Sequence, residues 1–101
     1  MQLQSKTGSK EVRQLFEAIL CLENEEECDR FFDDLCTVTE LSALAQRLEV
    51  ARLLRQNMTY QDIASQLGAS TATISRVNRC LSYGAGGYPL LLDRMEKKHK
   101  E

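Results

Sequence analysis

Apolar residues recur along this chain at helical spacing, and the pattern predicts about six helices. After Ser9, which is placed to cap, apolar side chains return every three or four residues until Glu23. Asn24 can cap a second helix, whose apolar face follows the i, i+3, i+4, i+7 rule. Thr37 and Glu40 have the spacing of a capping box, which predicts the start of a third helix. We therefore predict an all-α fold.

The third helix carries more apolar side chains than one helix face needs. A main stripe is formed by Leu41, Leu44, Ala45, Leu48, Ala51 and Leu54, and it is widened by Val50 and Leu53. A monomer of this size cannot easily bury so much apolar surface, so the pattern favours an intertwined dimer. A monomeric bundle is the alternative.

Residues 59–81 have the pattern of a helix-turn-helix. Ala64 offers a small side chain where the two helices come closest, and Gly68 tolerates the positive φ that the turn needs. Four apolar residues supply the shared core: Ile63, Leu67, Ile74 and Val77. We expect the second helix to enter the major groove of duplex DNA. An ordinary helical hairpin inside a bundle is the alternative.

Glycine is concentrated in residues 82–88, which contain three glycines in four consecutive positions. This composition is too flexible for a helix interior and predicts a hinge or a shaped loop. Pro89 suits the first turn of a last helix, predicted over residues 90–98. Three of its apolar residues are expected to face inward: Leu91, Leu92 and Met95.

Composition places the chain among small helical proteins. Its 101 residues include five Gly and one Pro, which are too few for the frequent turns of an all-β fold. No apolar run reaches the ~18 residues of a membrane span, and the first residues lack the apolar core of a signal peptide. We expect a cytoplasmic protein without membrane partners, with a flexible tail over residues 1–8 and a single domain over residues 9–101.

The cysteines and the single histidine do not form a metal-binding pattern. Successive cysteines are 7, 8 and 44 positions apart, so the chain has no Cys-x-x-Cys clip: Cys21, Cys28, Cys36 and Cys80. We expect reduced thiols and no metal site. The sequence also offers no nucleophile–base pair and no phosphate-binding Gly loop, so we predict neither an enzyme nor a cofactor.

Charge is unevenly distributed along the chain. Residues 1–45 carry ten acidic and four basic side chains, whereas residues 46–101 carry nine basic and five acidic ones. Asp62 is the only acid between positions 52 and 82, a stretch that contains four arginines: Arg52, Arg55, Arg76 and Arg79. This pattern predicts a positive face beside the second helix of the helix-turn-helix, where long cations reach phosphates. A merely solvated charged face is the alternative.

Residues 37–81 resemble the core of the bacterial tryptophan repressor family. The motif Arg79-Cys80-Leu81-x-Tyr83-Gly84-x-Gly86-Gly87-Tyr88 is similar to the YerC/YecD branch of tryptophan-repressor-related proteins. The resemblance implies an intertwined homodimer that presents two helix-turn-helix heads to an operator with two half-sites. It also implies DNA contacts from the turn and its flanking helices: Gln61, Ser70, Thr71, Ala72, Thr73 and Ser75. From the residues themselves, we add Arg76 and Arg79, which lie off the predicted core.

The same resemblance implies an effector pocket. Matching positions are Thr37, Arg47, Thr73 and Arg76, and the two guanidinium groups would suit a ligand carboxylate. The pocket departs from the family at Val77, where the tryptophan repressor has a glycine that leaves room for the indole, and at Asp34, which replaces an apolar wall. We therefore expect that tryptophan is not a strong corepressor and that histidine fits better among amino acids. A phosphate contact for Arg76 and a surface salt bridge for Arg47 are the alternatives.

These patterns predict a sequence-specific DNA-binding transcriptional regulator. Repression of amino-acid biosynthesis genes, with or without an effector, is the expected role. The alternative is a helical interaction module that uses the helix-turn-helix shape to bind a protein.

Overall fold

Residues 8–100, the part of the chain that the computed structural model describes, form six helices and no strand. In chain order these are α1 (Lys10–Leu20), α2 (Glu25–Leu35), α3 (Val38–Arg55), α4 (Tyr60–Leu67), α5 (Thr71–Tyr83) and α6 (Gly87–Lys100). The predicted all-α class and helix number are confirmed. None of the described helices has the length and apolarity that crossing a bilayer requires.

The chain divides into two compact units at Thr37 and Val38. The single domain expected over residues 9–101 therefore stays a prediction. The flexible tail expected over residues 1–8 lies outside the described residues, apart from the exposed Gly8.

The first unit consists of two capped helices. The Ser9 hydroxyl accepts the backbone N–H of Val12 at 3.1 Å, and the Asn24 side chain accepts that of Glu27 at 2.9 Å. The Glu27 carboxylate accepts the N–H of Glu23, the residue before the cap, at 2.9 Å, and so also holds the chain just ahead of α2. The structure thus confirms both caps that the sequence predicted.

The predicted end of the first helix near Glu23 is wrong, because α1 ends at Leu20. The Cys21 N–H bonds the Ala18 carbonyl at 3.0 Å, which tightens the last turn. Asn24 then takes an extended conformation, with φ −158°, to cap α2. Residues 21–23 therefore form the connection between the last turn of α1 and the cap of α2.

The second unit has its core where α4, α5 and α6 meet the last half of α3. All three helices contact α3, and α5 also contacts α4 and α6. The core consists of Val50, Ala51, Leu53, Ile63, Ala69, Ile74, Val77 and Leu92, with Leu67 and Met95 packed against it. The predicted shared core of the helix-turn-helix is confirmed.

Only the later part of the predicted main stripe of α3 lies in the interior, where Ala51 is buried and Leu54 packs against the core. Val50 and Leu53, expected only to widen the stripe, are buried, whereas Leu41, Leu44 and Leu48 remain 36% to 44% exposed. The reason is that the core forms around residues 50–53, so burial follows the neighbouring helices rather than the longest apolar repeat.

The glycine-rich joint is shorter than the loop predicted over residues 82–88. Because α5 continues to Tyr83 and α6 begins at Gly87, only residues 84–86 connect the two helices. Gly84 approaches the preceding turn so closely that a Cβ there would lie 2.5 Å from the Cys80 carbonyl oxygen. The joint is therefore a tight corner.

The last helix is longer than the predicted residues 90–98, and Pro89 lies in its first turn as expected. Leu92 is buried and Met95 is half-buried, but Leu91 is 46% exposed, so its predicted inward orientation is wrong. On the side of α6 near α3, Arg55 donates to the Pro89 carbonyl at 3.4 Å and to Asp93 at 2.7 Å.

The corner between α5 and α6 yields a stability prediction. Gly84→Ala should lower the free energy of unfolding by about 1 to 3 kcal/mol, because the new methyl group would press on backbone that cannot move away freely. Gly87→Ala is the matched control: a Cβ there meets open space, so the variant should be neutral or up to about 1 kcal/mol more stable. Urea unfolding of both variants measures the difference, and equal stabilities would contradict the close approach.

Candidate nucleic-acid interface

The helix-turn-helix is built from two capped helices and a left-handed turn. The Thr59 hydroxyl accepts the N–H of Asp62 at 3.1 Å and so begins α4. Gly68 ends α4 with φ +70°, and its N–H donates to the Ala64 carbonyl at 2.8 Å. A left-handed residue at this position is favourable for glycine and costly for most side chains. The chain is thereby redirected into α5 within three residues.

Ser70 begins α5 through a small hydroxyl network. Its Oγ accepts the N–H of Thr73 at 3.1 Å and donates its own proton to the Thr73 Oγ1, also at 3.1 Å. Thr73 is half-buried, whereas Thr71, Ala72 and Ser75 are exposed. Ser70 and Thr73 therefore order the helix start, and the exposed residues beside them are available to a ligand.

The core and the predicted DNA-contacting residues occupy different sides of the motif. Ile63, Ile74 and Val77 face the core of the second unit. Every predicted DNA-contacting residue except Thr73 is exposed: Gln61, Ser70, Thr71, Ala72, Ser75, Arg76 and Arg79. The predicted contacts themselves remain predictions, but the accessibility that they require is present.

Two of the four arginines expected to form a free positive face are paired. Arg52 forms a salt bridge with Glu49, and Arg55 pairs with Asp93 at 2.7 Å. The predicted positive face therefore contains two neutralised cations, because their carboxylates, Glu49 and Asp93, lie outside the 52–82 stretch. Arg76 and Arg79 are exposed and form no ion pair within residues 8–100. They supply the unneutralised positive charge of α5.

The ion pair between Arg52 and Glu49 shifts the pKa of each side chain so that its charged form is favoured. The hydrogen bond from Arg52 lowers the pKa of Glu49, and the same bond raises the pKa of Arg52. Because the carboxyl pKa is lowered on folding, the pair stabilises the fold above the ordinary carboxyl pKa, and this effect is lost as pH falls through the lowered value. Both side chains are partly exposed, so the contribution is less than about 1 kcal/mol.

The residues of the predicted effector pocket belong to both units. Asp34 and Thr37 are exposed residues of the first unit. In the second unit, Arg47 is half-buried and has no ion pair among the described residues, which disfavours the salt bridge considered for it. Val77 is only 2% exposed and belongs to the core. The pocket stays a prediction.

A cavity of about 320 Å³ lies elsewhere in the second unit. It is lined by Arg52, Arg55 and Gln56 at the end of α3 and by five residues of α6. None of the residues predicted to bind an effector lines it.

Two contacts between helices had no signal in the sequence. Arg55 reaches residues 34 and 38 positions later in α6, and the Gln46 side chain donates to the Leu67 carbonyl, 21 positions later. Spacing rules apply within one helix or across one turn, so these contacts could not be predicted from periodicity.

Comparisons with known proteins agree with this geometry. A family model described as Trp repressor protein matches residues 10–96. The uncharacterised protein YerC of Bacillus subtilis (strain 168) is 56% identical over 101 residues, which cover 100% of this chain and 96% of YerC.

Two crystal structures are also similar. A TrpR-like protein from Eubacterium eligens ATCC 27750 has a TM-score of 0.86 and 52% identity. The match covers 90% of this chain and 94% of the Eubacterium eligens chain. A candidate Trp repressor from Staphylococcus aureus has a TM-score of 0.85 and 54% identity. The match covers 90% of this chain and 91% of the Staphylococcus aureus chain.

The difference between paired and unpaired arginines can be tested on duplex DNA of random sequence. Arg79→Ala should weaken binding and reduce the slope of log Kobs against log salt concentration by about one. Arg52→Ala should change the slope by less than half as much, because Glu49 already neutralises that cation. Fluorescence anisotropy titrations at several salt concentrations measure both. Arg79→Ala could instead change which DNA sequence the protein prefers and leave its affinity for random DNA unaltered. That result would refute the role of Arg79 as a phosphate contact.

Proposed function

This chain belongs to the Trp repressor family of helical DNA-binding regulators, and we propose that it is a sequence-specific repressor of amino-acid biosynthesis genes. The observation that carries the proposal is the outer face of its helix-turn-helix. That face combines short polar side chains at the start of α5 with two unpaired arginines further along the helix. We place its action in the cytoplasm, with duplex DNA as the partner.

In this proposal, sequence is read by the first turns of α5. Thr71, Ala72 and Ser75 are short and exposed, so they fit close to base edges or bind them through bridging water. Gln61 contributes from α4. Arg79 is longer and binds phosphate, which positions the helix without reading sequence, and Arg76 does the same where no effector carboxylate engages it.

We further propose that the protein acts as an intertwined homodimer. The support is the apolar surface of α3, where Leu41, Leu44 and Leu48 follow helical spacing and remain 36% to 44% exposed. A repeated apolar row of this kind on a soluble protein usually marks an interface. A two-fold dimer would present two heads to half-sites about one DNA turn, ~34 Å, apart.

We propose that any effector is an amino acid other than tryptophan. Arg47 and Arg76 are both free of ion pairs within the described residues and could together bind a carboxylate. By the resemblance of the sequence, Val77 matches a glycine that admits the indole in the tryptophan repressor, and its side chain is buried in the core. Overpacking commonly costs ~1 to 3 kcal/mol. Among amino acids, histidine is the effector that we expect.

Selection of genomic DNA fragments on the purified protein tests the main proposal. We expect the selected fragments to share an inverted repeat, and insertion of half a helical turn between its half-sites should abolish tight binding. The same preparation should sediment at about twice the 11.5 kDa chain mass. A monomer that tolerates the insertion would refute the two-headed arrangement. Binding to random duplex without steep salt dependence would instead favour a protein-interaction module.

Calorimetric titration with tryptophan and with histidine tests the effector proposal. We expect tryptophan not to act as a strong corepressor, and histidine to bind better and to raise operator affinity. Arg47→Lys should weaken the histidine response, because an ammonium group cannot hold a carboxylate through two parallel hydrogen bonds. Micromolar tryptophan binding that also raised operator affinity would refute the proposal, and no response to either would indicate an effector-free regulator.

A further inference from the structure

The turn of the helix-turn-helix is connected to α3 by one side-chain hydrogen bond. The Gln46 Nε2 donates to the carbonyl oxygen of Leu67 at 3.3 Å, in a partly buried position. Leu67 is the last residue of α4, directly before the left-handed Gly68. The bond therefore meets the chain at the point where its direction changes.

The Leu67 carbonyl is a group that needs a partner from outside its own helix. The last four carbonyls of an α-helix have no partner further along the same helix. Here the Gly68 N–H closes the last turn onto Ala64, and the Leu67 carbonyl accepts from Gln46 instead. A partly buried carbonyl that lost this donor would favour conformations in which it meets water.

The core holds the turn through Ala69 and the packing of Leu67, and Gln46 adds a polar contact from α3 ahead of the residues that α3 buries in the core. The fully buried residues of α3 are Val50, Ala51 and Leu53, one turn or more after Gln46. Gln46 itself lies between Leu44 and Leu48, the exposed apolar residues of the proposed dimer surface. It thus connects the part of α3 that carries this surface to the turn that precedes α5.

We propose that Gln46 is a positioning residue that sets the angle of the helix-turn-helix relative to α3 and thereby the spacing at which two heads bind. The inference rests on the proposed function, since only a DNA-binding dimer has such a spacing. Gln46 acts through the Leu67 carbonyl and the turn.

The effect on the turn can be measured without DNA, by amide hydrogen exchange of the full chain. Gln46→Met keeps the length of the side chain but removes the donor. We expect about threefold to tenfold faster exchange of the Gly68 and Thr73 amides, which are hydrogen-bonded on either side of the turn. The Ile63 amide, bonded to Thr59 at the other end of α4, should be unchanged.

Matched variants separate positioning from general stability. Gln56→Met makes the same substitution at an exposed residue just after α3 and should leave all three amides unchanged. Gln46→Lys retains a donor at the end of a long side chain and should restore slow exchange at Gly68. Unaltered exchange in Gln46→Met, or an equal increase at Ile63, would overturn the proposal.

DNA binding supplies the second readout. On the operator selected with the wild-type protein, Gln46→Met should bind threefold to tenfold more weakly and should discriminate less against half-sites moved by one base pair. Its affinity for random duplex should stay within twofold of wild type. An equal loss on both DNAs, or no loss on the operator, would overturn the inference. A wild-type protein with no preferred operator would refute the proposed function, whereas the exchange measurement would still decide whether Gln46 holds the turn.

Discussion

The packing of α4 and α5 against the last half of α3 is the interaction on which the rest of the second unit depends. Two helices of 8 and 13 residues would be marginal on their own, because isolated helices of this length gain too little from their own hydrogen bonds. Val50, Ile63 and Ile74, one from each helix, are completely removed from solvent. Their burial leaves the opposite side of α5 exposed.

The four arginines of residues 52–82 differ in whether a carboxylate neutralises them. Arg52 and Arg55 extend from α3 to carboxylates, and Arg55 also joins α3 to α6. Arg76 and Arg79 have no such partner in the described part of the chain. An unpaired surface cation retains its attraction for phosphate, whereas a paired one has lost most of it. Net charge alone would have concealed this difference.

Several features were predictable because their causes are local. The caps at Ser9 and Asn24 join groups three residues apart, and the turn at Gly68 follows from the one residue type that accepts its φ without strain. The sequence-based errors also have local causes. The first helix ends at Leu20, where the Cys21 N–H bonds the Ala18 carbonyl, and the predicted glycine-rich loop is a three-residue corner that brings Gly84 against Cys80. Composition indicated a break there without giving its size.

The sequence by itself therefore determined the helices, the helix-turn-helix and the family, since these depend on hydrogen bonds and apolar repeats within a few residues. Only the tertiary structure decided which side of α3 is buried, which arginines are neutralised and how the turn is held. Arg55 and its partners are 34 and 38 positions apart, and Gln46 and Leu67 are 21 apart. Contacts of that range arise from how helices pack together, and no periodicity along the chain encodes them.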